Sequence, residues 1–114
     1  MTAVMEAGEV RFEGFSPGTE IWGSTQANFL VKLPGRHAKE SAILLNDPTA
    51  KALAEELGRE NTQEFREEAA RLAGGIIFRD VLERGRPIDS VVMASNAFFE
   101  ERPDLLAALK ASLS

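Results

Sequence analysis

The hydrophobic pattern follows two periods along the chain, and the change falls near Asp47. From Glu9 to Phe15, Val10 and Phe12 alternate with Arg11 and Glu13, which is the period of a half-buried strand. Ser16-Pro17-Gly18-Thr19 supplies turn chemistry, because Pro presets φ and Gly accepts positive φ. Glu20–Gly23, carrying Ile21 and Trp22, predicts a short strand. Ala27–Leu33 predicts a longer one, with Phe29, Val31 and Leu33 to one side and Pro34-Gly35 ending it. After the polar stretch Arg36–Ser41, Ala42–Leu45 predicts another. These segments together predict a small antiparallel sheet of three or four strands.

Beyond Asp47 the apolar residues recur every three to four positions. Asp47 suits an N-cap, Pro48 the first helical position and Gly58 the residue past the end, with Ala50, Leu53, Ala54 and Leu57 on one face between them. A longer helix follows over Asn61–Gly85, capped by Asn61 or Thr62. Glu55–Arg59, Glu67–Arg71 and Asp80–Arg84 stand at i,i+4 in the favourable order, each adding about 0.2–0.5 kcal/mol. At about 100° per residue, Phe65, Ala69, Leu72, Ala73 and Ile76 share one face before Gly74-Gly75, and Ile77, Phe78, Val81 and Leu82 cluster nearly opposite after it. Two arrangements satisfy this pattern. The helix breaks at the glycines, which together cost about 2 kcal/mol relative to alanines, or it continues and turns its second apolar face to a different layer, another chain included.

Ile88, Val91, Val92, Ser95, Phe98 and Phe99 form a further helical stripe with Asp89 as its cap. The β-branched residues of Ile88–Met93 make a strand over Val91–Ala94 the rival reading. Pro103 opens a last helix along Leu105, Leu106, Leu109 and Leu113. A sheet first and about four helices after it predict one α+β domain over residues 1–114. The closing run Phe98–Ala111, FFEERPDLLAALKA, is similar to a helical segment of periplasmic nitrate- and taurine-type binding proteins, and no site residue is carried over from that likeness.

Composition narrows the function classes. A net charge of −5 is set against nucleic-acid and anionic-membrane surfaces, which need a basic footprint. No cysteine is present, which removes disulfides, thiol nucleophiles and thiolate metal sites. The first residues, MTAVMEAGEV, do not read as a secretory signal, and no apolar run reaches membrane-spanning length. The expected location is the cytoplasm.

Candidate chemistry is sparse. His37 is the only histidine, and no second His or Cys stands near it at ligand spacing. No metal, cofactor or catalytic residue is expected. Arg36, His37 and Lys39 form a small basic loop on an acidic chain, suited to a solvated turn or to gripping an anion or an acidic partner. Glu60, Glu64 and Glu68 line up at i,i+4 as a solvated acidic face, with no Glu-x-x-His to make a di-metal site. Trp22, Phe29 and Phe98 could line a pocket between sheet and helices. The expectation that follows is a non-catalytic binding or regulatory protein acting through protein contacts, as a homodimer or accessory subunit. Its partner-binding face would be Ile77, Phe78, Val81 and Leu82. The alternative is a small enzyme or ligand-binding domain using the aromatic pocket.

Overall fold

The structure is a computed structural model and describes residues 5–18 and 22–114. Its fold class is α+β, as the sequence predicts. Strands β1 (Val10–Ser16), β2 (Ser24–Val31) and β3 (Lys39–Asn46) come first, followed by helices α1 (Asp47–Leu57) and α2 (Gln63–Glu83). Strand β4 (Val91–Ala94) and helices α3 (Asn96–Glu101) and α4 (Pro103–Leu113) complete the chain. The strands form one sheet in the order β1-β2-β3-β4. The first three pair antiparallel, and β4 runs parallel to β3.

Helices α1, α2 and α3 start where a short polar side chain satisfies an orphan amide, whereas α4 opens on Pro103 without a side-chain cap. Asn46 Oδ1 accepts from the Thr49 amide at 3.2 Å, Thr62 Oγ1 from Phe65 at 3.1 Å, and Ser95 Oγ from Phe98 at 3.2 Å. The first of these corrects the expected cap: Asn46 caps α1 and Asp47 is its first helical residue. Gly58 closes α1 at φ 66°, a left-handed conformation that only glycine adopts without strain.

The stripe expected over Ile88–Phe99 is not one helix. Val91–Ala94 is a strand, and the helix begins after Ser95. β-Branched residues and the open edge of β3 outweigh the helical spacing there. The fourth strand therefore enters after α2 and not within the first half of the chain. The short strand expected at Glu20–Gly23 lies partly outside the described residues.

Beta bulging explains the face of Phe15. Phe12 pairs with Phe29 and Gly14 with Asn28, so Glu13 is the extra residue. Strict alternation would put Phe12 and Phe15 on opposite faces. The bulge returns Phe15 to the core side, where its ring lies 5.0 Å from that of Phe12.

The core lies on one face of the sheet. Ala27, Phe29, Val31, Ile43, Leu45 and Ala94 supply its floor. Helix α2 lies across this floor and is itself overlaid by α4, contacting β1, β2, β3 and α4. It is continuous through Gly74-Gly75, which settles the two arrangements left by its pattern. Being a middle layer, it buries Ala69 and Ala73 on one side and Gly74 and Phe78 on another. Arg59 ties three helices at one end. It donates to the Leu113 carbonyl at 3.1 Å, pairs with Glu68 at 3.2 Å and stacks over Phe65 at 4.9 Å.

Candidate functional site

The inward face of the sheet is filled by helices. Among the described residues, no helix covers the outward face. Pairing registers lay its side chains out in rows. Leu30 stands between Arg11 and Glu40, Asn28 beside Ala42 and Val91, and Gln26 beside Leu44 and Met93. Gln26 Nε2 donates to Asn28 Oδ1 at 2.8 Å, and Asn28 Nδ2 donates to Ser16 Oγ at 2.9 Å. This polar ladder occupies the β1–β2 side. Toward β4 the face becomes apolar: Leu44 is half-buried, while Val91 and Met93 are 53% and 48% exposed. A wide hollow of about 790 Å³ runs across it, bordered by Glu13, Gln26, Asn28, Glu40 and Ser90.

The same strand is also the end of the sheet. The Ala42 amide donates to the Ser90 carbonyl at 2.8 Å. In a parallel ladder that bond commits Ser90, Val92 and Ala94 to β3. The amides and carbonyls of Val91 and Met93 then point away from the sheet. At these two residues, backbone and side chain are both open to solvent.

A second polar feature joins α2 to α4. Arg102 grips Asp80 with both terminal nitrogens, at 2.8 and 2.9 Å, and reaches Asp104 at 2.9 Å. Arg84 adds a bond to Asp80 at 3.1 Å. The hydrogen bonds from Arg102, with help from Arg84 and against the opposing effect of burial, hold the Asp80 carboxyl down at about 2. Asp104 is also held below the usual carboxylate range by its bonds to Arg102. Beside this cluster lies a cleft of about 350 Å³ over Ile77, Val81, Val92 and Phe98. The cluster clasps the end of α2 to the start of α4.

The predicted site residues are dispersed. Ile77 and Phe78 lie in the chain's own core at 3% and 0% exposure, and Val81 and Leu82 are half-buried against it. The apolar face after the glycines is thus covered from within. The reason is the layering: the sheet takes Phe78, whose ring is 5.4 Å from Phe29, and the α3–α4 side takes Ile77 and Val81. The aromatic pocket does not form either. Phe29 is core, Phe98 is half-buried with its ring 5.2 Å from Phe99, and Trp22 is 85% exposed. The hollow of about 790 Å³ lies on the far side of the sheet from the helices.

Arg36 and His37 are exposed on the loop between β2 and β3, and Lys39, also exposed, is the first residue of β3. Lys32 Nζ donates to the carbonyls of Leu33 and Arg36, and Lys39 Nζ donates to that of Ile88. The loop is therefore braced at both ends, leaving Arg36 and His37 at its tip. Among the described residues, no group of three or more His, Cys, Asp or Glu side chains is placed to hold a metal ion, and no helix is long and apolar enough to cross a membrane.

Val91 and Met93 were not singled out by the sequence as a surface. The signal was the uncharged β-branched run itself, which a helical reading folds inward. No protein-family model, curated protein or solved structure matches the chain.

Proposed function

We propose that the protein is a non-catalytic binding module, and that its docking surface for another protein chain is the helix-free sheet face at β4. The observation that carries this reading is the exposure of Val91 and Met93, at 53% and 48%, on a strand whose backbone is open at the same two residues. Large apolar side chains left singly on a surface need no explanation. Here two stand on the same face of one strand, with Ala42 and Leu44 of β3 beside them. Protein recognition is built on such an apolar centre with a polar rim, and the Ser16–Asn28–Gln26 ladder supplies the rim.

The test is a charge placed on the face. Val91→Glu with Met93→Glu should leave thermal stability within about 0.5 kcal/mol, because both side chains face water. Tagged wild-type protein recovered from its native cells, alongside an untagged copy, should retain a stoichiometric protein chain, either that copy or another. The double variant should lose it. Identical recovery by both proteins would remove the docking surface from this face.

The second reading, a small enzyme or ligand-binding domain, is favoured by the hollow of about 790 Å³ with Glu13, Asn28 and Glu40 at its border. Its volume falls within the range of ligand sites. A bound small molecule that survives the double substitution would favour this alternative.

A further inference from the structure

We infer that the cleft between the end of α2, β4 and α3 binds a free α-amino acid with a large apolar side chain, its carboxylate on Arg86 and its ammonium on Asp89. The cleft, of about 350 Å³, opens on the helix side of β4. It is a separate site from the sheet face proposed above, and neither depends on the other.

The floor of the cleft is apolar. Ile77 and Leu105 are buried there, and Val81, Val92 and Phe98 are half-buried. Val92 pairs with Ile43 of the core, so it faces the helices while Val91 and Met93 face away. Small-molecule sites combine such a floor with a few fixed polar groups, in volumes from about 300 Å³ upward. A cleft near that lower limit suits a molecule of amino-acid size.

The charged side chains that border the cleft divide into two sets. Asp80 accepts from both Arg84 and Arg102, which neutralises its charge. Arg86 and Asp89 border the cleft as well, and among the described residues neither side chain has a hydrogen bond or ion pair, with each other or with any other group. Arg86 therefore keeps its whole guanidinium fork, and Arg84, which uses Nε on Asp80, keeps its two terminal nitrogens. That planar fork matches a carboxylate. A simple acid bound there would leave Asp89 facing a second anion. A ligand with an ammonium beside its carboxylate satisfies both free charges, and its apolar side chain covers the floor.

Spacing and anchoring support the same ligand. Arg86 and Asp89 are three residues apart, so their Cα atoms are separated by at most about 11 Å. A free amino acid carries its two charges on one carbon and fits between them, whereas the ends of a peptide move apart with length. The chain that bears them is held before any ligand arrives. The Arg86 amide donates to the Val81 carbonyl at 3.1 Å, the buried Ile88 accepts from Lys39 Nζ, and the Ser90 carbonyl accepts from the Ala42 amide at 2.8 Å. Pro87 fixes its own φ between them. Such preorganisation lowers the ordering cost of binding.

The test is titration of the whole chain with L-leucine and L-phenylalanine, followed by amide NMR. Two analogues that each lack one charge, phenylpropanoate and phenylethylamine, are titrated beside them. L-Phenylalanine should shift the amides of Val81, Val92 and Phe98. Each analogue should bind about tenfold more weakly or worse, the loss expected for one charge-assisted hydrogen bond. Arg86→Gln and Asp89→Asn should each weaken L-phenylalanine by a similar factor. Both should keep the wild-type circular dichroism, because the two side chains are exposed. In Asp89→Asn, L-phenylalanine and phenylpropanoate should bind alike.

No shift with either amino acid up to about 10 mM, above the range of weak specific complexes, would overturn the inference. So would phenylpropanoate binding the wild-type chain as tightly as L-phenylalanine, which would make the cleft a site for simple acids. Shifts confined to β1 and β2 would place the ligand elsewhere and overturn it too.

Discussion

A methyl group built on Gly74 would lie 2.2 Å from the Phe29 ring and 3.1 Å from Ile43 Cγ1. One built on Gly75 would meet nothing within 4 Å. Gly74 is thus a contact point where α2 comes down on the sheet, and Gly75 is a helical residue facing open space. Phe29 cannot swing aside, because its ring is packed edge-on against those of Phe12 and Phe78 at 5.5 and 5.4 Å. Gly74→Ala should therefore destabilise the fold by about 1–3 kcal/mol through overpacking. Gly75→Ala should stabilise it by about 0.4–1 kcal/mol by restricting the unfolded chain and favouring the helix. Urea denaturation of the two variants gives opposite signs if α2 sits as described. Equal effects would mean that the helix can lift from the sheet. The sequence shows the pair as one Gly-Gly unit; which glycine is needed depends on a ring brought in from β2, and no local pattern contains that.

At the scale of elements, caps and stripes are legible wherever neighbours in sequence decide the outcome. Thr62 and Gly58 mark helix ends because the orphan amides and carbonyls they serve are their own neighbours, and Pro103 marks one because a first helical turn needs no amide donor there. Legibility fails where one element is held by two others. The split stripe of α2 is explained by a sheet below and α4 above, and Val91–Ala94 becomes a strand because β3 offers an edge. The Asp80–Arg102 clasp belongs to this scale, since it fixes the end of α2 to the start of α4. Asp80 ionises at about 2 in the folded chain, against roughly 3.9 when unfolded. A depressed folded pKa contributes stability in full above the unfolded value, and that contribution is lost as pH falls through the folded one. Asp80→Asn should cost about 1–2 kcal/mol at neutral pH. The gap to wild type should close as pH falls from about 5 to about 2. Denaturation midpoints across that range check it, and a gap that ignores pH would assign the loss to packing.

At the scale of the whole molecule, the α+β class followed from the order of periods along the chain, while the surface did not. Ile77 and Phe78 look outward only if α2 is imagined with a single layer to rest on. Val91 looks inward only if its segment is imagined as a helix. The parallel pairing of β4 with β3 has one more consequence. Strand β3 ends at Asn46, and β4 begins only at Val91. Loops of a few residues join β1, β2 and β3, but contact between β3 and β4 closes a long stretch of chain, whose entropy is lost before the contact repays it. The three-stranded meander should register first and β4 arrive after α2 is seated. Native-state hydrogen exchange should then show the amides of Val92 and Ala94 opening more readily than those of β2. Equal protection would mean that the crossover and the meander close as one unit. During synthesis the order has a hazard built into it. Until Val91–Ala94 leaves the ribosome, the nascent chain carries a meander whose β3 seam, with Ile43 and Leu45 along it, is open to any other unfinished copy nearby.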